Sequence, residues 1–415
     1  KIDVLALGML TAMRKALALV SDFRGRPMGL PDIPAEDPAT YDMICKADTV
    51  GVFQIESRAQ MTMLPRLRPR RFYDLVIEVA IIRPGPIQGQ MIHPFLARRQ
   101  GLEPVTYPSP DVKGVLERTL GVPIFQEQVI KLAMVAAGFS AGEADQLRRA
   151  IASWRKTEKL ARFRQRLIDG MTARGYSAEF GAQIYDQIQG FGEYGFPESH
   201  AASFALLAYA SAWLKCHETA AFTCALLNSY PMGFYAPAQL IQDARRHGVE
   251  IRPVDVRSSD WECTLERRDD DGEPAIRIGF RMTKGLRQIT ADRITAARKE
   301  SPFENLRDFS RRTGLSRVDM EKLAAAGALA GLAGHRHRAR WQVLGLETPP
   351  PLFAAGEGTD RPLPFPPLPA PSEGDDMKAD YESLGFTLGR HPLALLRPLL
   401  QKRRTVTAEQ LKDMT

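Results

Sequence analysis

Cysteine is scarce in this chain of 415 residues: there are four, Cys45, Cys216, Cys224 and Cys263. None belongs to a C-x-x-C pair and no histidine stands at zinc-finger spacing. A disulfide framework and a structural zinc site are therefore not expected, and a reducing cytoplasm is the default compartment. Long hydrophobic runs are lacking too. The longest apolar stretch is interrupted and too short to span a bilayer, so no membrane partner is expected. No signal-peptide pattern is visible. The chain opens on Lys1 rather than Met and enters a strand-like segment at once, so it reads as a fragment of a longer polypeptide.

Hydrophobic residues make up 44% and charged residues 25%, the balance of a protein with a sizeable core. The length suits two to four domains. A net charge of +7 suits a polyanionic partner only where the charge clusters.

Phe191–Lys215 is the most informative stretch. A polar turn with Gly192, Tyr194, Gly195, Glu198, Ser199 and His200 runs into an almost wholly apolar segment. Ser199 is the candidate N-cap of a helix over about 201–216. Phe204, Leu206, Leu207, Tyr209, Trp213 and Leu214 surround that helix and predict burial on most sides. A helix opening with Tyr, Ser and His can bind an anion or nucleotide. A core helix with a satisfied cap explains the same spacing.

Gln126–Ala137 reads as a helix stopped by Gly138. Ser140 and Glu143 have capping-box spacing, so a second helix should start there. Ala144, Leu147, Ile151 and Trp154 share one of its faces. Arg148, Arg155, Lys159, Arg162 and Arg166 fall on another, if the helix runs that far. Eight basic residues and one acid, Glu158, lie between Arg148 and Arg166. A solvated face would mix signs, so this stripe points to phosphate or DNA contact, with a plain surface helix as the alternative. Arg66, Arg68, Arg70 and Arg71 beside Phe72 and Tyr73 allow phosphate contact or a solvated loop.

Elsewhere the patterns are mostly helical with few strands. KIDVLAL reads as a strand and LTAMRKALALV as a helix. TYDMICKADTVGVFQIES reads as helix, turn and strand. Pro84 and Pro86 end the helix holding Ile77–Ile82, leaving Arg83 at a rigid corner. Trp213, Phe222 and Leu226 belong to the core. TLERRDDDGEPAIRIGF predicts two strands around an acidic turn, which is turn chemistry rather than a metal site. Phe303–Gly334 reads as short helices separated at Gly314 and Gly327. His335–Trp341 follows with Arg336 and Arg338, basic and aromatic residues that suit a nucleic-acid strand. A helix bundle with no DNA role is the alternative. Thr348–Pro371 holds nine prolines, the mark of a linker. The fold class is mainly α with minor β (α+β).

IIRPGPIQGQM (Ile81–Met91), IFQEQVIKLA, ADQLRRAI and the Tyr194-Gly195-Phe196…Ser199-His200 run stand in this order. Phe53-Gln54-Ile55-Glu56-Ser57 precedes them. Together they resemble the fingers of bacterial DNA polymerase III alpha subunits, the C-family polymerases. Pro197-Glu198 replaces the family's usual Asn-Lys pair. Ala152-Ser153-Trp154-Arg155-Lys156 stands where replicative members carry Gly-Lys-Lys-Lys. These departures point to the damage-inducible, error-prone branch.

The resemblance implies a palm remnant over 1–40, multi-helix fingers over 41–255, and a β-hairpin with helix-hairpin-helix module over 256–347. A Pro-rich linker over 348–371 and a lead-in to an OB-type domain over 372–415 would follow. It implies that Asp3 is a catalytic metal ligand for Mg²⁺ and that Lys1 steadies phosphate charge. Arg148, Arg149, Tyr194, Ser199 and His200 would meet the deoxynucleoside triphosphate. Arg155, Lys156, Lys159, Arg162, Arg166, Arg336 and Arg338 would contact primer-template DNA. The paired aspartates of the family would lie upstream, so this chain by itself is expected to be inactive. The clamp-peptide candidate, Pro350-Pro351-Leu352-Phe353, lacks the leading Gln. Accessory polymerase or repair proteins are therefore the expected recruiters, and direct sliding-clamp binding is not expected. The rivals are a housekeeping replicative subunit and a non-catalytic DNA-binding scaffold.

Overall fold

Local signals set most helix ends in the computed structural model, which describes residues 5–83, 92–152, 157–190, 197–269, 272–346 and 368–412. Gln126–Ala137 is a helix, and Gly138 ends it at φ 69°. The backbone N–H and hydroxyl of Ser140 donate to Glu143, whose own N–H returns to Ser140 Oγ at 3.3 Å. This box opens the helix Ala141–Ala152. Among the described residues, no helix is long and apolar enough to cross a membrane.

The fold divides into two units, one over Gly29–Glu218 and one formed by the residues before and after it. In the first, the helix Phe72–Ile81 packs against the long helix Glu198–His217. Every residue from Asp74 to Ile81 is buried, as an apolar helix surrounded by others must be. Burying each such aliphatic side chain contributes about 1.5–3 kcal/mol. Tyr41, Ile44, Leu64, Phe95, Phe125 and Leu132 join the same core. Two acids, Asp74 and Glu78, are buried within it.

In the second unit, helix Leu7–Arg24 packs on Thr219–Asn228, a helix buried at every position. Phe222 and Leu226 lie there in the core as expected, and Trp213 is buried in the first unit. The strands β1 (Ile251–Arg252), β2 (Thr264–Glu266) and β3 (Ala275–Arg277) form a sheet in the order β1-β3-β2. The expected hairpin is the antiparallel β2–β3 pair, with Leu265 opposite Ile276. β1 pairs parallel to β3, Ile251 opposite Ile276. Short helices Leu306–Thr313, Arg317–Ala325 and Ala330–Ala333 follow. Asn305 caps the first through the N–H groups of Arg307 and Asp308. Gly314 and Gly327 turn the chain at φ 57° and 76°.

Three expectations are corrected. Leu7 begins a helix rather than ending a strand. Phe53–Ser57 is a series of turns, with Gln54 at φ 65°, so no strand forms there. Pro197, not Ser199, is the N-cap of the long helix, which starts at Glu198. That helix is buried all round only from Ala208 to Lys215, and Leu206, 58% exposed, lies on its open side.

Candidate nucleotide-binding site

The mouth of the long helix is built from charged and aromatic groups of the first unit. Pro197 sits extended at φ −67° and ψ 138° and cannot cap through its side chain. A carboxylate does so instead, because the Glu198 N–H donates to Glu127 Oε2 at 3.0 Å. An acid beside a helix N-terminus is favoured by both the orphan N–H groups and the dipole. Part of the expected anion platform is thus taken up by the protein's own Glu127.

Glu198 extends the cluster. Its Oε1 accepts from the Tyr73 hydroxyl at 2.7 Å and from Arg118 Nη1 at 3.2 Å. The Arg118 guanidinium lies 3.7 Å over the Tyr73 ring. Burial, and then the bond to Glu198, push the Tyr73 phenol above its ordinary value, so it stays a donor at neutral pH. Tyr73, Arg118 and Glu127 were not singled out as members of this site. Their signal was invisible because they come from three separate segments.

Ser199 is exposed in the first turn, and its carbonyl accepts from the Ser203 hydroxyl at 3.0 Å. His200 is half-buried, with its ring 4.2 Å from Phe204 at 44°. Phe204 meets Phe53 edge-on at 5.2 Å. Tyr194 lies outside the described residues, as do Lys1, Asp3, Arg155 and Lys156.

The basic stripe breaks into two helices, Ala141–Ala152 and Thr157–Thr172. Arg149 is exposed and pairs with Asp145 at 2.8 Å. The side chains of Arg148, Lys159 and Arg162 lie outside the description, although all three residues are helical. Arg166 Nη2 reaches Glu143 Oε1 at 2.6 Å. On one straight helix those residues would stand about 35 Å apart. The second helix therefore folds back on the first, and Arg166 does not continue a line begun at Arg148. It also lies 5.5 Å over the Phe139 ring. Exposed ion pairs such as Arg149–Asp145 are weak, so a phosphate can displace the carboxylate.

In the second unit, Arg336 is nearly buried and donates to the Asp376 carboxylate at 2.9 Å and to the Asp376 carbonyl at 2.8 Å. Its other nitrogen pairs with Asp380 at 2.5 Å. Arg338 is exposed, on the same helix Arg336–Leu344.

Residues 9–175 match the bacterial DNA polymerase III alpha subunit finger domain, and residues 248–339 match a helix-hairpin-helix motif. The finger match includes Arg148–Arg166 and ends before Ser199 and His200. An error-prone DNA polymerase of Alkalilimnicola ehrlichii is 65% identical over 99% of this chain and 40% of that protein. Error-prone DNA polymerases of Pseudomonas aeruginosa and Bordetella bronchiseptica are 58% and 59% identical, over 100% and 99% of the chain. The chain spans about two fifths of the length of these relatives.

Proposed function

The chain belongs to the bacterial DNA polymerase III alpha-subunit family, and from that premise we propose that it serves error-prone DNA synthesis across damaged template in the cytoplasm. The reaction adds a deoxynucleotide from its triphosphate to a primer 3′-OH, and primer-template DNA is the partner. The observation that carries this reading is identity of 58–65% to error-prone polymerases over essentially every residue present.

Asp3 would hold Mg²⁺ together with carboxylates from outside this chain, and Lys1 would steady phosphate charge. Arg148, Arg149, Tyr194, Ser199 and His200 would receive the nucleotide. Arg155, Lys156, Lys159, Arg162 and Arg338 would meet DNA phosphates. Arg166 and Arg336 are held by acids of the chain itself, so their part would be to position the helices that carry the others. The proposed organisation is palm end, fingers, helix-hairpin-helix, linker and OB lead-in, with accessory proteins as recruiters.

The test is primer extension by the protein carrying its upstream coding region, beside Asp3→Ala, on an intact template and one with an abasic site. Metal-dependent extension lost in Asp3→Ala, with synthesis past the lesion, is expected. DNA binding without extension would overturn the polymerase reading in favour of a scaffold. Extension that stops at the lesion would overturn the error-prone assignment in favour of a replicative subunit.

A further inference from the structure

Arg98 and Arg99 are chain neighbours with opposite fates. Arg99 is saturated: it grips both oxygens of Asp74 at 2.7 Å and two backbone carbonyls besides. Arg98 donates one bond, from Nη1 to the Leu120 carbonyl at 2.7 Å. Its Nε is buried without a partner, and among the described residues no carboxylate pairs with it. Folding leaves this guanidinium without a counter-charge on the wall of a cavity of about 410 Å³. A half-buried cation held so, with no carboxylate to pair with, is suited to an anion.

Three aromatic residues share the cavity wall with aliphatic and small polar ones. Tyr107, Tyr176 and Phe180 line it, each half-buried, anchored against the core and partly open to the cavity. Tyr176 and Phe180 stand with ring centroids 6.0 Å apart at 34°, a gap too narrow to hold a base between them, so the pair forms one continuous wall. The Tyr176 hydroxyl is fixed against Ser109 Oγ at 2.7 Å. Gly121, at φ 80°, leaves the space where Arg98 and Tyr107 meet. A Cβ there would lie 2.7 Å from Arg98 Nη1 and 3.7 Å from Tyr107 Cε1. Gln183 adds an exposed amide at the edge, with donors and an acceptor.

We propose that this cavity binds one unpaired nucleotide of a single-stranded nucleic acid, its base on the Tyr176–Phe180 wall and its phosphate on Arg98. Ring faces accept any base by stacking, and an arginine beside them takes the phosphate. One uncompensated cation matches the single charge per nucleotide, whereas an acidic peptide would offer nothing to the aromatic wall. The volume lies within the range of small-ligand sites. The site shares no residue with those assigned above to the triphosphate or to DNA. It goes beyond the polymerase reading and fails separately from it, since a scaffold without catalysis could hold a strand here too.

The experiment uses this 415-residue chain. A fluorescent oligothymidylate is titrated by anisotropy, and a 5-iododeoxyuridine version is photocrosslinked and mapped by mass spectrometry. Crosslinks at Tyr107, Tyr176 or Phe180 are expected. Phe180→Leu should weaken binding about tenfold, as loss of one stacking face does. Arg98→Gln should lower the salt dependence by about one phosphate contact. Gln183→Trp, at an exposed position that folding tolerates, should obstruct the cavity and abolish the crosslink. Crosslinks only outside the cavity, or a Gln183→Trp protein that crosslinks like the parent, would overturn the proposal. So would displacement of the strand from the cavity by polyglutamate but not by thymidine monophosphate.

Discussion

Arg166 grips Glu143 at 2.6 Å although 23 residues separate them. The pair ties the start of helix Ala141–Ala152 to the body of helix Thr157–Thr172 and so sets how the basic segment is presented. The Ser140 N–H, then Arg166 and the Ser140 hydroxyl, pull the Glu143 carboxyl from 4.5 down to about 2. A depressed folded-state value means that the contribution to stability is complete above pH about 4.5 and is lost as pH falls toward about 2. Glu143→Gln should therefore lower the melting temperature at pH 7, with the gap to the parent closing between pH 4.5 and 2. A gap that stays constant over that range in thermal melts would argue against the pair.

Asp74 is buried and depends on Arg99. Burial by itself raises its pKa, but the Arg99 bonds, the Arg70 N–H and the nearby arginines outweigh burial and hold it below 3.8. Removing the cation leaves a buried carboxylate uncompensated. Arg99→Ala should cost about 3–5 kcal/mol in urea unfolding, and the double variant Arg99→Met with Asp74→Leu distinctly less.

Glu78 is fully buried on helix Phe72–Ile81, with no partner for either oxygen among the described residues. Burial pushes its carboxyl well above 4.5. With a raised folded-state value, its penalty is smallest below pH 4.5 and grows as pH rises toward that value. Glu78→Met should stabilise the fold by about 1–3 kcal/mol at pH 7, because an unsatisfied polar group is removed. The gain should shrink at pH 4. Denaturant unfolding at the two pH values measures both effects.

Two glycines should respond in opposite directions. A Cβ on Gly170 would lie 2.2 Å from the Ala137 carbonyl oxygen, where the helices Gln126–Ala137 and Thr157–Thr172 touch. Gly170→Ala should force them apart at a cost of about 1–3 kcal/mol. Gly114 is exposed in the helix Pro110–Leu116 with nothing near it. Gly114→Ala should stabilise by about 0.5–1 kcal/mol, through reduced freedom of the unfolded chain. Melting temperatures of the two variants check the contrast.

Arg336 and Arg338 separate structure from binding. Arg336 joins helix Arg336–Leu344 to helix Glu373–Ser383 through Asp376 and Asp380, so Arg336→Met should lower the melting temperature. Arg338→Ala should leave it unchanged and reduce the salt slope of DNA binding by about one. Equal effects of the two variants on DNA binding would count against this division.

Short-range features were legible from residue order. The Gly138 stop, the Ser140–Glu143 box, the β2–β3 hairpin and the Gly314 and Gly327 turns each depend on residues within a few positions of one another. Local torsional preference and periodicity are sufficient for these. The resemblance to a polymerase family was also carried by residue order, since its motifs are contiguous.

What lies far apart in the chain was decided by packing alone. Glu127 occupying the Glu198 N–H, Arg166 turning back onto Glu143, and β1 joining β3 in parallel each join segments that no local pattern links. Arg336 read as a free cation beside an aromatic, and two aspartates beyond the proline-rich stretch claimed it. Charge and spacing in a sequence say which groups a chain carries. Only the close approach of its helices determines which of those groups neutralise one another and which, like Arg98, are left without a counter-charge among the described residues.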